Sequence, residues 1–232
     1  MAKGFEQLSL AVQLKDPATF DNFFVGKNQL LVNELKRQLD QGDRFIFITG
    51  NVGDGRSHLL QAACHYADQQ DQTAFYLSLA DHQSYQAGAI FDELDGFDLV
   101  CLDDIDAVIG LNQWEEALFH LFNRLADNAV CLLMASNQTP RQLSPNLADL
   151  GSRLSAGSLY QVKISDNHYK DVFTFRAGLR GIEISQELLQ FIDYRCQRDT
   201  TALIDLLDRL DEASLKEKRK LTIPFVKSVM GW

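Results

Sequence analysis

Gly50-Asn51-Val52-Gly53-Asp54-Gly55-Arg56-Ser57 follows the pattern G-x-x-x-x-G-K-[ST], with arginine where lysine is usual. Few short patterns restrict a fold so tightly. The pattern needs a strand before it and a helix after it. Glycines let consecutive backbone N–H groups turn inward around a phosphate. The positive end of the following helix dipole faces the same anion. A cation then meets the β- and γ-phosphates, and a hydroxyl, here Ser57, holds Mg²⁺. Arg56 keeps the charge but swaps a flexible point charge for a wide planar fork. Nucleotide binding is therefore expected to survive, with hydrolysis weak or regulated. Arg44 to Thr49 reads as a buried strand before the loop, and His58 to Cys64 as the helix after it.

A second segment belongs with the first. Phe97 to Asp104 is an apolar strand closed by two carboxylates. Paired acids are not tolerated inside a buried strand, so they belong at its carboxyl end. In open α/β sheets that end lines the ligand crevice. Asp103 is the candidate Mg²⁺ ligand, through water. Asp104 sits where a water-activating carboxylate is expected. Read alone, either acid could instead cap the next turn. Asn137, after a fourth apolar strand, can reach a γ-phosphate or an attacking water, or can be a turn asparagine before Pro140. The nucleotide-binding candidates are Gly50, Gly53, Asp54, Gly55, Arg56, Ser57, His58 and Asp103; Ser57 and Asp103 are the metal candidates. His58 lacks Cys or Asp partners at ligand spacing and is no metal site by itself.

Further strands are predicted over Thr73 to Leu79, Ala129 to Ala135 and Leu159 to Ile164. Trp114 to Ala126 reads as an amphipathic helix, with Trp114 and Phe119 in the core. Asn28 to Leu39 reads as a helix with Leu30, Leu31, Leu35 and Leu39 on one face. Strands alternating with helices imply a three-layer α/β/α fold around a five-stranded, mostly parallel sheet. After about Ser165 the strands stop. Helices are predicted over Tyr169 to Leu179, Ser185 to Arg195, Thr201 to Lys216 and Pro224 to Met230. The expected organisation is a flexible leader over 1–17, an α/β nucleotide-binding domain over 18–165 and a small all-helical domain over 166–232.

The 232-residue chain has a net charge of −10. That argues against a nonspecific grip on nucleic acid or on an anionic membrane. A local basic patch is still allowed, and Lys216 to Lys220 is the most basic run, usually a solvated helix end. Cys64, Cys101, Cys131 and Cys196 form no C-x-x-C and read as reduced, in a cytoplasmic protein. No apolar stretch reaches the ~18 residues of a membrane span.

These residues together resemble the AAA+ ATPases, and within them the DnaA-like group. Thr19 to Gly26 is similar to the segment before the first helix in that group, which packs near the nucleotide base. Leu102-Asp103-Asp104-Ile105 is similar to its Walker B strand. Asp149 to Leu154 is similar to the segment that carries its arginine finger, and Leu221 to Lys227 to the end of its helical lid. The resemblance covers roughly 18–230 and stops short of the DNA-binding domain that DnaA carries. A core of this kind resembles the Hda family of regulatory inactivators, in which the ADP-bound protein provokes DnaA to hydrolyse its ATP.

The resemblance implies Arg153 as an arginine finger acting in trans, bound ADP or ATP with Mg²⁺, and two partners, DnaA and the sliding clamp (the DNA polymerase III beta subunit). DNA would be met only indirectly, through the clamp, and pairing of protomers is compatible with this scheme. Gln7-Leu8-Ser9-Leu10 matches the clamp-docking segment, with Gln7, Leu8 and Leu10 as contacts. Without the resemblance, Gln7 to Leu10 is an apolar start to a first element, and Arg153 an ion-pair partner of Asp149 one turn earlier. One departure is notable: Thr201 stands where lids of this group carry a sensor arginine, with Arg198 three residues away. The competing expectation is an autonomous AAA+ ATPase such as a helicase loader.

Overall fold

In a computed structural model, residues 17–38, 44–163, 168–196 and 200–232 are described. Gln7, Leu8, Leu10, Leu39, Ile164 and Arg198 therefore lie outside the described residues. Among those described there are five strands: β1 (Phe45–Thr49), β2 (Ala74–Ser78), β3 (Leu99–Asp103), β4 (Cys131–Ser136) and β5 (Ser158–Gln161). All pair in parallel, in the order β2-β3-β4-β1-β5. Chain order and sheet order disagree beside β1: the chain runs from β1 to the far edge strand β2, returns to β4, and crosses β1 to reach β5. Such a reversal opens a crevice at the carboxyl ends of the strands.

Both faces of the sheet are covered, so the central strands are apolar throughout. Every residue of β3 and β4 is buried. The period of two sorts them. Phe47, Val100, Leu102, Leu132 and Met134 pack with α3 (Asn112–Asp127) on one face. Ile46, Ile48, Leu99, Cys101, Leu133 and Ala135 pack with α1 (Gln29–Gln38) and α2 (Arg56–Asp68) on the other. Two short helices, α4 (Pro140–Leu143) and α5 (Ala148–Leu154), lie between β4 and β5. A third core cluster draws only on the C-terminal helices α6 (His168–Leu179), α7 (Gln186–Arg195), α8 (Thr200–Glu217) and α9 (Ile223–Met230), around Phe173, Leu188, Leu207 and Val226.

On α1 the predicted face is corrected. Leu31, Val32, Leu35 and Gln38 are buried, but Leu30 is 67% exposed. At 100° per residue Leu30 points roughly 130° away from the centre of that stripe, and Val32 takes its place. Trp114 is buried and Phe119 packs against the same core. All four cysteines are free, and the Cys64 and Cys101 sulfurs lie 3.5 Å apart. No described helix is long and apolar enough to cross a membrane.

Candidate functional site

The loop after β1 has the backbone that its glycines allow. Gly53 and Gly55 have φ of 85° and 97°, in the left-handed region. A Cβ on Gly55 would also meet the Phe23 ring at 2.9 Å, so glycine is required there twice over. Asp54 is buried and turns back into its own loop, where Asn51 N–H donates to its carboxylate at 2.6 Å. Val52 stands 80% exposed at the tip. Helix α2 starts at Arg56, two residues before the helix expected from the sequence.

Arg56 is 6% exposed. One guanidinium nitrogen, Nη2, lies 3.8 Å from Asp104 Oδ1, and the other, Nη1, has no hydrogen-bond partner. An unfilled buried donor costs about 1–3 kcal/mol. A site that leaves one on a fixed cation, under a glycine cradle and beside a helix N-terminus, is shaped for an anion.

The acids at the end of β3 are held from several sides. Asp103 is fully buried. It accepts hydrogen bonds from Tyr76 OH at 3.0 Å and from Asp104 N–H at 2.9 Å, and also from the Ser57 hydroxyl. Burial, and then the neighbouring Asp104, push the Asp103 carboxyl above its ordinary value. Burial, followed by the Asp103 charge, likewise raises Tyr76, which keeps its proton and stays a donor. Asp104 has φ of 53° and accepts from Ser78 Oγ at 2.7 Å. The Ser57 hydroxyl and Asp103 carboxyl, in direct contact, are hard oxygen donors that fit Mg²⁺. Among the described residues no group of three or more His, Cys, Asp or Glu could cage an ion. Mg²⁺ needs none, because it takes one or two protein oxygens, waters and the oxygens of a bound phosphate.

The His58 ring is held against the segment before α1, beside Phe23. Its Nε2 donates to the Thr19 carbonyl at 2.9 Å, and His65 Nδ1 meets the Ala18 carbonyl at 2.6 Å. Both rings strap residues 17–25 onto α2. Burial is the main reason the His58 pKa falls to about 4. From the helical side Phe24 packs against His168 and Phe175, and Arg176 donates to the Asn22 carbonyl at 3.0 Å. Residues 19–24 thus lie between α2 and α6.

Asn137 is exposed just past β4, the strand between β1 and β3. Its backbone N–H donates to Asp106 Oδ1 at 3.1 Å. Arg153 is exposed on α5, with its guanidinium carbon 5.8 Å from the Phe122 ring centre. Thr201 is exposed in the first turn of α8. The structure thus brings Gly50 to His58, Asp103, Asp104 and Asn137 to one edge of the sheet, while Arg153 stands on a separate helix. The sequence reading missed Tyr76, Ser78 and Asp106. The first two come from β2, in register with Cys101 and Asp103. Only Asp106 had a visible signal, as a third acid in the run after β3.

The sequence matches the family model of the bacterial DnaA ATPase domain over residues 14–161 and that of the Hda lid domain over 166–230. An uncharacterized protein of Haemophilus influenzae is 40% identical over 229 residues, covering 97% of this chain and 99% of the relative. Among solved structures, domain III of Thermotoga maritima DnaA superposes with a TM-score of 0.75 at 23% identity, over 92% of this chain and 95% of that one. AMPPCP-bound DnaA from Aquifex aeolicus superposes at 0.71 and 23% identity, over 87% and 69%. The Thermotoga maritima RuvB branch-migration motor follows at 0.65 and 16%, over 93% and 72%. The chain therefore belongs to the bacterial DnaA ATPase-domain family, as an AAA+ protein whose helical lid is of the Hda type.

Proposed function

We propose that this chain is a nucleotide-bound regulatory adaptor. It links the sliding clamp to DnaA, stimulates hydrolysis of DnaA-bound ATP and so restrains replication initiation. The observation that carries this reading is the pairing of a DnaA-type ATPase domain with an Hda-type lid in one chain. The buried, half-satisfied Arg56 supports a bound di- or triphosphate. The contact between Ser57 and Asp103 supports Mg²⁺. In this reading Arg153 neutralises charge building on a phosphoryl group held by DnaA, an effect that reaches ~10³–10⁵ in rate. The domain limits of this reading are those expected from the sequence, 18–165 and 166–232, behind a clamp-binding leader.

The alternative, an autonomous AAA+ ATPase, is favoured by one observation: both carboxylates after β3 are present, with Asp104 at the place of a water-activating base. Against it stands the ion pair that occupies Asp104.

Gln7, Leu8 and Leu10 are the proposed clamp contacts. Burying two leucines contributes ~3–6 kcal/mol before ordering costs, so one site is weak and benefits from avidity on a multi-site ring. The test is a pull-down on clamp and on DnaA with ADP or ATP present. Gln7→Ala with Leu8→Ala is expected to lose the clamp and keep nucleotide affinity and thermal stability. Unfolding of that double variant would contradict the assignment of the leader.

A further inference from the structure

Asp106 sits in the 3₁₀ turn Ile105–Ala107, just beyond the two acids of β3. One of its oxygens, Oδ1, accepts from Ser136 Oγ at 2.8 Å and from Asn137 N–H at 3.1 Å. Ser136 is fully buried as the last residue of β4, and its Oγ in turn accepts from Gln138 N–H at 3.0 Å. A single carboxylate oxygen thus ties the turn after the Mg²⁺-side acids to the loop after the neighbouring strand. The same loop presents the exposed Asn137 at the ligand edge of the sheet. The β3–β4 ladder ends at the pair Leu102 with Met134, so no strand pairing fixes residues 104–107 against 136–138. The Asp106 oxygen supplies that link across the gap.

We infer that Asp106 is a positioning residue that sets Asn137 for the third phosphate of a bound nucleotide, and so controls discrimination between triphosphate and diphosphate. The inference rests on the nucleotide reading of the Gly50–Ser57 loop. A diphosphate is held by the loop N–H groups, Arg56 and the helix end, none of which touches Asp106. A third phosphate extends away from the loop, toward the acids and the β4 loop. Only that phosphate senses where Asn137 points. Asp106→Ala frees the loop, and Asp106→Asn keeps an acceptor oxygen for Ser136 and Asn137.

The experiment measures Kd of the full chain for AMPPCP and for ADP, each with Mg²⁺, by calorimetry. Asp106→Ala is expected to weaken AMPPCP about tenfold, the order of one charge-assisted hydrogen bond, and to leave ADP within about twofold. Asp106→Asn is expected to recover most of the loss. Asn137→Ala placed on top of Asp106→Ala is expected to add nothing, because both act through one contact. Should Asp106→Ala fail to fold, Ser136→Ala removes one arm of the link and decides by the same ratio. An unchanged AMPPCP-to-ADP ratio, an equal loss of both ligands, or a wild type blind to the third phosphate overturns the inference. A wild type that binds neither nucleotide overturns the nucleotide reading itself, and the inference with it.

Discussion

Arg56 carries a lysine's charge in a shape that lysine does not have. In this site its fork is divided between Asp104 and an empty direction. A phosphate filling that direction gains a charge-assisted contact of about 1.5–3 kcal/mol. Arg56→Ala is therefore expected to weaken ADP binding ~10- to 150-fold, measured by calorimetry. Unchanged affinity would remove Arg56 from the site. His58 gives a second test at this scale. Its folded pKa is about 4, held down first by burial, against about 6.5 in an unfolded chain. The unfolded state takes up a proton first, so neutral His58 contributes fully above pH 6.5. That contribution is lost as pH falls from there to about 4. At pH 5 the loss is about 2 kcal/mol. Asp103, raised by burial and Asp104, works in the opposite sense: its contribution is present below the ordinary carboxylate value and lost as pH rises. Comparison with His58→Gln isolates the imidazole. Urea midpoints at pH 7 and pH 5 should differ less in the variant than in wild type.

At the scale of elements, α5 matters because it carries Arg153. It is seven residues long and has no side-chain cap from its own Ncap residue. Glu115 of α3 takes that place. It is fully buried, and its two carboxyl oxygens accept from Gly110 N–H at 2.7 Å, Asn146 N–H at 3.1 Å and Leu147 N–H at 2.8 Å. The ring of Phe122, two turns further along α3, lies under Arg153. Glu115→Ala strands three donors and is expected to cost about 3–5 kcal/mol. Urea denaturation reads the total, and hydrogen exchange of the α5 amides should rise first. Exchange that rises uniformly along the chain would contradict a local role. Nothing in the sequence marked Glu115, since a Glu at the start of an amphipathic helix reads as a solvated first-turn acid. The five strands were legible because burial on both faces makes them apolar runs, and the loop and the acids because phosphate chemistry demands those residues. The turns over 79–96 and helix α4 were not, because elements of three to six residues carry no period. Tyr76 and Ser78 serve Asp103 and Asp104 through strand register, which a single sequence does not display. Leu30 was misplaced because four leucines do not define a face until one of them is tested against 100° per residue.

For the molecule as a whole, the segments join into one scheme. A parallel sheet presents the candidate phosphate site at its switch point, an Hda-type lid follows, and a finger candidate is exposed on α5. The strap of residues 17–25 ties α2 to α6 through His58, His65, Phe24 and Arg176. The helix after the glycine loop and the first lid helix therefore share one support, while Arg153 stands on a separate helix. This separation makes the adaptor reading testable without disturbing the fold. The decisive measurement is single-turnover hydrolysis of DnaA-bound ATP in the presence of clamp-loaded DNA, with ADP-bound chain added as wild type or as Arg153→Ala. The account predicts stimulation by wild type, and none by an Arg153→Ala protein that still folds, binds ADP and binds clamp. Stimulation by Arg153→Ala at the wild-type rate, or none by wild type, would contradict it.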